Sequence, residues 1–362
     1  MVRTKRAVLF QASVFWALLV GPLSPTAAGQ SALVLDGKLD GRKFGDHQAL
    51  FEDTSGSYDI ERVSRGDAGV AFTPIRSDAP NLGFSKSSAW LRFTVDNPSR
   101  TTREWLLELA YPHIDVLELY VPTEAGSFHE LSSGDRRPFA ERDLPYRNVV
   151  FRLHQPPGSA TYYLRAQTTG SLTLPLVAWS NDAFLTQQNT QLPALWMFYG
   201  VMAAIALYNL FIFLSVRQVA YLYYVLHTCA YALFQFVLNG LAFQYLWPNA
   251  VWWANQCMPA CIAFSFFTGV QFQRHFLDLK RNLPTLDRLF AVPSAYASLL
   301  ATVITLLVPY AIGIRAVVAL GTAIIAMALY NTVRLVLRRH RPAYFYGVAW
   351  GMLLIGILAY LL

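Results

Sequence analysis

Between Leu195 and His275 the chain carries three apolar runs of about twenty residues each, parted by short polar breaks at Ser215–Gln218 and Trp247–Asn249. At about 1.5 Å of rise per residue, a helix of that length crosses a hydrocarbon core of about 30 Å. A helix at the surface of a soluble protein shows a polar face on every turn, and these runs show almost none. The pattern predicts a polytopic membrane protein. Three further apolar runs follow, giving six expected spans near 193–214, 219–239, 251–273, 289–308, 312–337 and 344–362 within a helical domain over 192–362.

Upstream the period changes to two. Ala89–Val95 alternates and stops at Asp96-Asn97-Pro98; Trp105–Ala110 ends at Tyr111-Pro112, and Ile114–Val121 ends at Pro122. Val149–Leu153, Tyr162–Gln167 and Leu172–Trp179, the last interrupted by Pro175, complete the clearest set. Short alternating runs separated by Pro, Gly and Asn predict an antiparallel β-sandwich over 30–185. The fold class expected is therefore multidomain: a β-sandwich followed by an all-α transmembrane bundle. Met1–Gly29 has the grammar of a signal peptide, with Arg3, Lys5 and Arg6 before an apolar stretch, then Gly21, Pro22, Pro25 and small residues suited to cleavage.

Charge sharpens the division. The chain of 362 residues has a net charge of +7, yet Ser31–Thr190 holds 16 Lys/Arg against 20 Asp/Glu, while Gln191–Leu362 holds 10 against 2. The basic excess belongs to loops beside the apolar runs, so nucleic acid is excluded as the expected partner and the lipid bilayer takes its place. If the N-terminal domain is outside, nine Lys/Arg (Arg217, Arg274, Lys280, Arg281, Arg288, Arg334, Arg338, Arg339 and Arg341) fall inside, against Arg315 near an outward end. The positive-inside rule thus gives the same orientation as the signal peptide, and Trp247, Trp252 and Trp253 suit an outer aromatic belt. In a bacterium this places the sandwich in the periplasm and the helices in the inner membrane. The three cysteines lie in apolar runs, so the exported part has no disulfide framework or thiolate metal site.

Ala206–Gln256 carries YNLFIFLSVR, YLYY and NGLAFQYLWP in order, and this stretch resembles the membrane region of the bacterial seven-transmembrane receptors with diverse intracellular signalling modules (7TMR-DISM). AWLRFTVDNPS at Ala89–Ser99, ELAYPHIDVLELYVP at Glu108–Pro122 and YYLRAQTTGSLTLPL at Tyr162–Leu176 resemble that family's second extracellular domain, a jelly-roll similar to carbohydrate-binding modules. The resemblance implies a receptor that relays a small ligand, for instance a carbohydrate, to a diguanylate cyclase (GGDEF) or histidine kinase. No GGDEF-like string or kinase motif occurs in this sequence, so enzymatic output is not carried over; the last apolar run ends at Leu362, and a longer design is the expectation.

Candidate chemistry is sparse. There is no GxSxG, HExxH or Walker-type loop, and no catalytic residue, metal site or cofactor is expected. On Trp90–Val95, period two sets Leu91, Phe93 and Val95 against Trp90, Arg92 and Thr94; on Tyr162–Thr169, Leu164 and Ala166 oppose Tyr163, Arg165, Gln167 and Thr169. The second sets mix aromatic planes with Arg, as small-molecule sites do, so the ligand candidates are Trp90, Arg92, Tyr111, His113, Arg165 and Thr169. The polar residues inside the spans, Asn209, His227, Gln235, Asn239, Gln271 and Asn331, read first as interhelical hydrogen-bond groups. Partners expected are a small molecule, a cytoplasmic signalling protein and a second copy of the chain; a transporter or a non-signalling binding protein is the alternative.

Overall fold

The computed structural model describes residues 31–36 and 39–361. The expected signal peptide at 1–29 lies outside the described residues. The strands are β1 (Leu33–Val34), β2 (Arg42–Lys43), β3 (Gln48–Asp53), β4 (Thr73–Ile75), β5 (Ser88–Asn97), β6 (Arg103–Leu109), β7 (Val116–Pro122), β8 (Phe128–Ser133), β9 (Val149–Gln155), β10 (Gly158–Gln167) and β11 (Leu176–Trp179), with helix α1 (Ile60–Arg65) between β3 and β4. They form two sheets, ordered β4-β3-β5-β10-β7-β8 and β2-β11-β6-β9. The pairing is antiparallel except for β1, which runs parallel to β5 at Val95 and Asp96, beyond the point where β3 stops. The expected sandwich is the fold observed.

The alternation read from the sequence explains which face is inside. Leu91, Phe93 and Val95 of β5 and Tyr162, Leu164 and Ala166 of β10 are buried with Trp105, Leu107 and Leu109 of β6 and Phe151 and Leu153 of β9 in one apolar core. Each such side chain contributes about 1.5–3 kcal/mol by leaving water. Rings bind the layers together: Phe93 stacks on Tyr162 at 5.5 Å, and Trp105 meets Tyr162 edge-on at 5.9 Å.

Both outer faces are covered as well, which period two alone does not predict. Over the larger sheet, Tyr58, Ile60, Val63, Val70 and Phe72 of the β3–β4 connection pack on Phe51, Trp90, Tyr120 and Tyr163. Asp53 shapes the start of that connection, accepting from the backbone N–H groups of Ser55 (3.0 Å), Gly56 (2.8 Å) and Tyr58 (3.1 Å). Asp59 caps α1 by accepting from Arg62 N at 2.9 Å. Over the smaller sheet, Leu106, Val150, Val177 and Trp179 are covered by Tyr146 and Phe184. Phe184 belongs to the first turns of α2 (Asn181–Val216), so this helix is rooted on the sheet.

The helical part continues with α3 (Val219–Leu238), α4 (Leu241–Tyr245), α5 (Val251–Phe276), α6 (Leu279–Asn282), α7 (Pro284–Leu286), a π-helical turn at Asp287–Ala291, α8 (Val292–Leu307), α9 (Tyr310–Leu337) and α10 (Arg341–Leu361). Among the described residues, four helical stretches are long and apolar enough to cross a membrane: Asn181–Val216, Val219–Leu238, Pro284–Leu307 and Tyr310–Leu337. The third and sixth expected spans fall on α5 and α10. Helix α5 is diluted by Asn255, Gln256, Gln271, Gln273, Arg274 and His275. Its C-terminal end is held by a two-pronged ion pair, Arg274 to Asp287, at 2.6 and 3.1 Å.

The chain divides into two compact units, and the division is not a single cut. Residues 239–255, which link α3 to the body of α5, belong with the sandwich, while 191–238 and 256–362 form the helical unit.

Candidate functional site

The six ligand candidates separate into two places. Trp90, Arg92 and Arg165 share the outer face of the larger sheet, because β5 and β10 are paired in register with Arg165 opposite Trp90 and Tyr163 opposite Arg92. The β10–β7 pairing extends the rows, placing Glu118 beside Arg165 and Tyr120 beside Tyr163. Trp90 is fully buried, stacked on Tyr120 at 5.6 Å with the Arg165 guanidinium 5.9 Å from its ring. Arg92 lies over Phe72 at 4.6 Å. Trp90 is thus the floor of a lined face rather than an open platform.

Beside that floor runs a polar row. Glu118 Oε2 accepts from Arg165 Nη1 at 3.0 Å and from the Tyr120 hydroxyl at 3.1 Å. Arg165 Nη2 reaches Ser88 Oγ at 3.4 Å, and the Gln167 amide donates to the same hydroxyl. The row carries one carboxylate and one guanidinium, so it is neutral while offering donors and acceptors side by side. Burial, reinforced by the Glu118 charge, pushes the Tyr120 phenol well above its ordinary range and keeps it a donor. Two donors, Trp90 Nε1–H and Arg165 Nε–H, are buried without an acceptor among the described residues. Such groups cost about 1–3 kcal/mol each when nothing pairs with them.

Tyr111, His113 and Thr169 gather at strand ends. Tyr111 is buried with His113 edge-on at 5.8 Å. Thr169 donates to Asp115 Oδ2 from its hydroxyl (3.0 Å) and its backbone N–H (3.2 Å), and Thr168 Oγ1 donates to Oδ1 at 3.1 Å. Arg136 closes on the same carboxylate at 2.8 and 3.0 Å. Gly134 is needed here: its φ is +141°, and a Cβ would come within 2.2 Å of Asp115 O. Next to it, Asp135 is almost wholly buried, and Asn255 Nδ2 donates to its main-chain oxygen at 2.8 Å.

That last contact is one of several through which 239–255 grips the sandwich. Phe139 N donates to Pro248 O at 3.0 Å, and Gln244 Nε2 to Pro145 O at 3.3 Å. Phe243 meets Phe139 edge-on at 5.6 Å, with the Arg142 guanidinium 5.5 Å from the Phe243 ring. Gly240, at φ +73°, sits where a Cβ would stand 2.7 Å from Pro112 and 3.0 Å from Arg147 O. On the other outer face Glu108 is buried, accepting from Asn148 Nδ2 (2.6 Å) and Trp179 Nε1 (2.8 Å). Burial pushes its carboxyl up, against those two bonds and the nearby Arg147 charge.

In the helical unit the polar candidates do not form one site. His227 bonds Ser265 O at 3.2 Å, Asn209 bonds its own helix at Ile205 O, and Gln235 bonds Tyr231. Gln271 accepts from Arg274. Asn331 is fully buried, with neither amide atom partnered among the described residues. Glu118 and Tyr120, Asp115 and Asp135 were not singled out from the sequence. The first pair had a usable signal, since period two on β7 sets Glu118 and Tyr120 on the face opposite Leu117 and Leu119. The second pair had none, because Asp115 and Asp135 stand in separate turns.

No curated protein matches the chain. Residues 45–180 match the family described as 7TMR-DISM extracellular 2, and residues 192–362 match the one described as 7TM diverse intracellular signalling. One match lies on the sandwich and the other on the helices, in the order the resemblance implies, and neither describes a catalytic domain. The chain belongs to the 7TMR-DISM family, membrane sensors with an extracellular domain joined to a transmembrane helical domain.

Proposed function

We propose that the chain is an inner-membrane receptor whose periplasmic sandwich binds a small neutral polyhydroxylated ligand, such as a carbohydrate, on the outer face of the larger sheet. Glu118, Arg165 and Gln167 contact its hydroxyl groups, with Ser88 and Trp90 buried beneath them. A sugar offers alternating donors and acceptors with no net charge, and the polar row has the same character. The observation that carries the reading is the partly exposed row of Glu118, Arg165 and Gln167, which sets donors and acceptors side by side with no net charge.

The signal passes to the helices by two routes. The sandwich holds the root of α2 through Trp179, Tyr146 and Phe184, and it holds the α3–α5 connection through 239–255. Occupancy that favours one arrangement of these roots by about 1–3 kcal/mol is enough to bias a cytoplasmic output.

The test is a thermal-shift screen of the full chain in detergent against a panel of mono- and disaccharides. A saccharide that raises the melting temperature of the native chain and leaves Arg165→Ala and Glu118→Gln unshifted supports the site. A panel that moves nothing, or moves both variants equally, overturns it.

A further inference from the structure

We propose that the Asp135 carboxyl is a proton-binding site that controls whether 239–255, and with it the first turn of α5, stays clasped to the sandwich. This input is independent of the ligand proposed above. Asp135 is 8 % exposed, and its Oδ1 has no hydrogen-bond partner among the described residues. Its backbone is fixed from both sides, because Asp135 N donates to Ile114 O at 2.8 Å and its main-chain oxygen accepts from Asn255. The backbone that carries the carboxyl is thus held against α5.

The groups around it decide which protonation state fits. Asp115 repels a charge on Asp135, and Arg136, which could offset that charge, is already committed to Asp115. Arg142 attracts Asp135 but makes no ion pair with it; Arg142 Nη1 instead donates to Tyr146 O and Arg147 O, both at 2.8 Å. Its guanidinium lies over Phe139 at 4.9 Å and Phe243 at 5.5 Å, and its Nε is buried and unpartnered. The Tyr111 phenol, with His113 against its ring, stays neutral because burial, Asp135 and Asp115 all push its titration upward. Asn255 contributes an amide and no charge. A neutral, protonated Asp135 suits these surroundings. Burial, with Asp115 adding to it, accordingly pushes its carboxyl well above the ordinary range, against Arg142, Arg136 and Asn255.

Loss of the proton leaves a buried anion that attracts Arg142, whose Nε is buried and unpartnered among the described residues. Turning Arg142 toward it withdraws the guanidinium from Phe243 and from the backbone oxygens that shape the 142–147 turn. The clasp on 239–255 weakens in consequence. The sign follows from linkage: a carboxyl whose titration is raised in the clasped state stabilises that state fully below about pH 4. The stabilisation is then lost as pH rises through the raised value, by up to about tenfold in the clasping equilibrium per pH unit.

The experiment is hydrogen exchange of the full chain in nanodiscs from pH 5 to pH 8, corrected for intrinsic rates, comparing 239–250 with β5 and β10. In the native chain, protection of 239–250 should fall as pH rises while the strands stay protected. Asp135→Asn, which mimics the protonated acid in nearly the same volume, should hold its protection across the range. Protection in the native chain that does not change with pH overturns the proposal, and so does an Asp135→Asn variant that follows the native profile. Should that variant not fold, the native contrast between 239–250 and the strands decides alone.

Discussion

Replacing Phe243 by Ala tests how firmly the α3–α5 connection is held. Phe243 is buried against Phe139, edge-on at 5.6 Å, with the Arg142 guanidinium 5.5 Å from its ring. Truncating a buried Phe to Ala costs about 3–5 kcal/mol, the low end applying where neighbours can close the gap. Helix α4 is a five-residue turn on a connection, so the low end, about 3 kcal/mol, is appropriate. At about 1.4 kcal/mol per decade, this is a fall of about 100-fold in local protection. The reporters are the amides of Gln244, Leu246 and Trp247, which donate to Gly240 O or Ala242 O within the turn. Hydrogen exchange should show their protection lost with β5 and β10 unchanged. A loss under threefold at these amides, or an equal loss in the strands, refutes the reasoning that Phe243 clasps a separable element.

Other outcomes follow from single groups. Glu108→Leu strands the donors of Asn148 and Trp179 in a dry site, and should lower stability by about 2–4 kcal/mol in thermal melts; Glu108→Gln should cost less, because an amide oxygen still accepts. For Asp53, burial acts to raise the carboxyl, but the bonds from Ser55, Tyr58 and Gly56 together outweigh it and hold it below its ordinary value. Its contribution is present above about pH 4 and lost as pH falls through the depressed value, so Asp53→Asn should flatten the acid limb of the stability profile. Asn331→Leu replaces a buried amide with no partner by an apolar group of similar size, and should raise the melting temperature in detergent; a fall would show that the amide is bonded.

The central strands were legible because their chemistry is local. Leu91, Phe93 and Val95 against Trp90, Arg92 and Thr94 specify one face of β5, and Leu164 and Ala166 do the same for β10. The covers of the sandwich were not legible. Phe51 comes from a strand, Val63 from a helix, and Tyr58 and Phe72 from irregular segments, so no constant period links them. In the sequence, residues 239–255 read as the end of the second span, a short break and the start of the third, with Trp247, Trp252 and Trp253 in an outer aromatic belt. Their place on the sandwich depends on the left-handed backbone of Gly240 and on a ring pocket made by Phe139 and Arg142, about a hundred residues earlier. Trp90 looked like a ligand platform because a strand pattern reports which face a residue is on, not what lies over that face.

The proposed receptor has the sandwich and 239–255 on the outer side of the membrane and the α5–α8 connection inside. Single cysteines at Ser127, Asn249 and Lys280, each introduced with Cys229, Cys257 and Cys261 replaced by Ala, allow a direct measurement with a membrane-impermeant maleimide on intact spheroplasts. Positions 127 and 249 should label at once, and position 280 only after the membrane is permeabilised. Labelling at 249 that requires permeabilisation, or labelling at 280 that does not, would contradict the account.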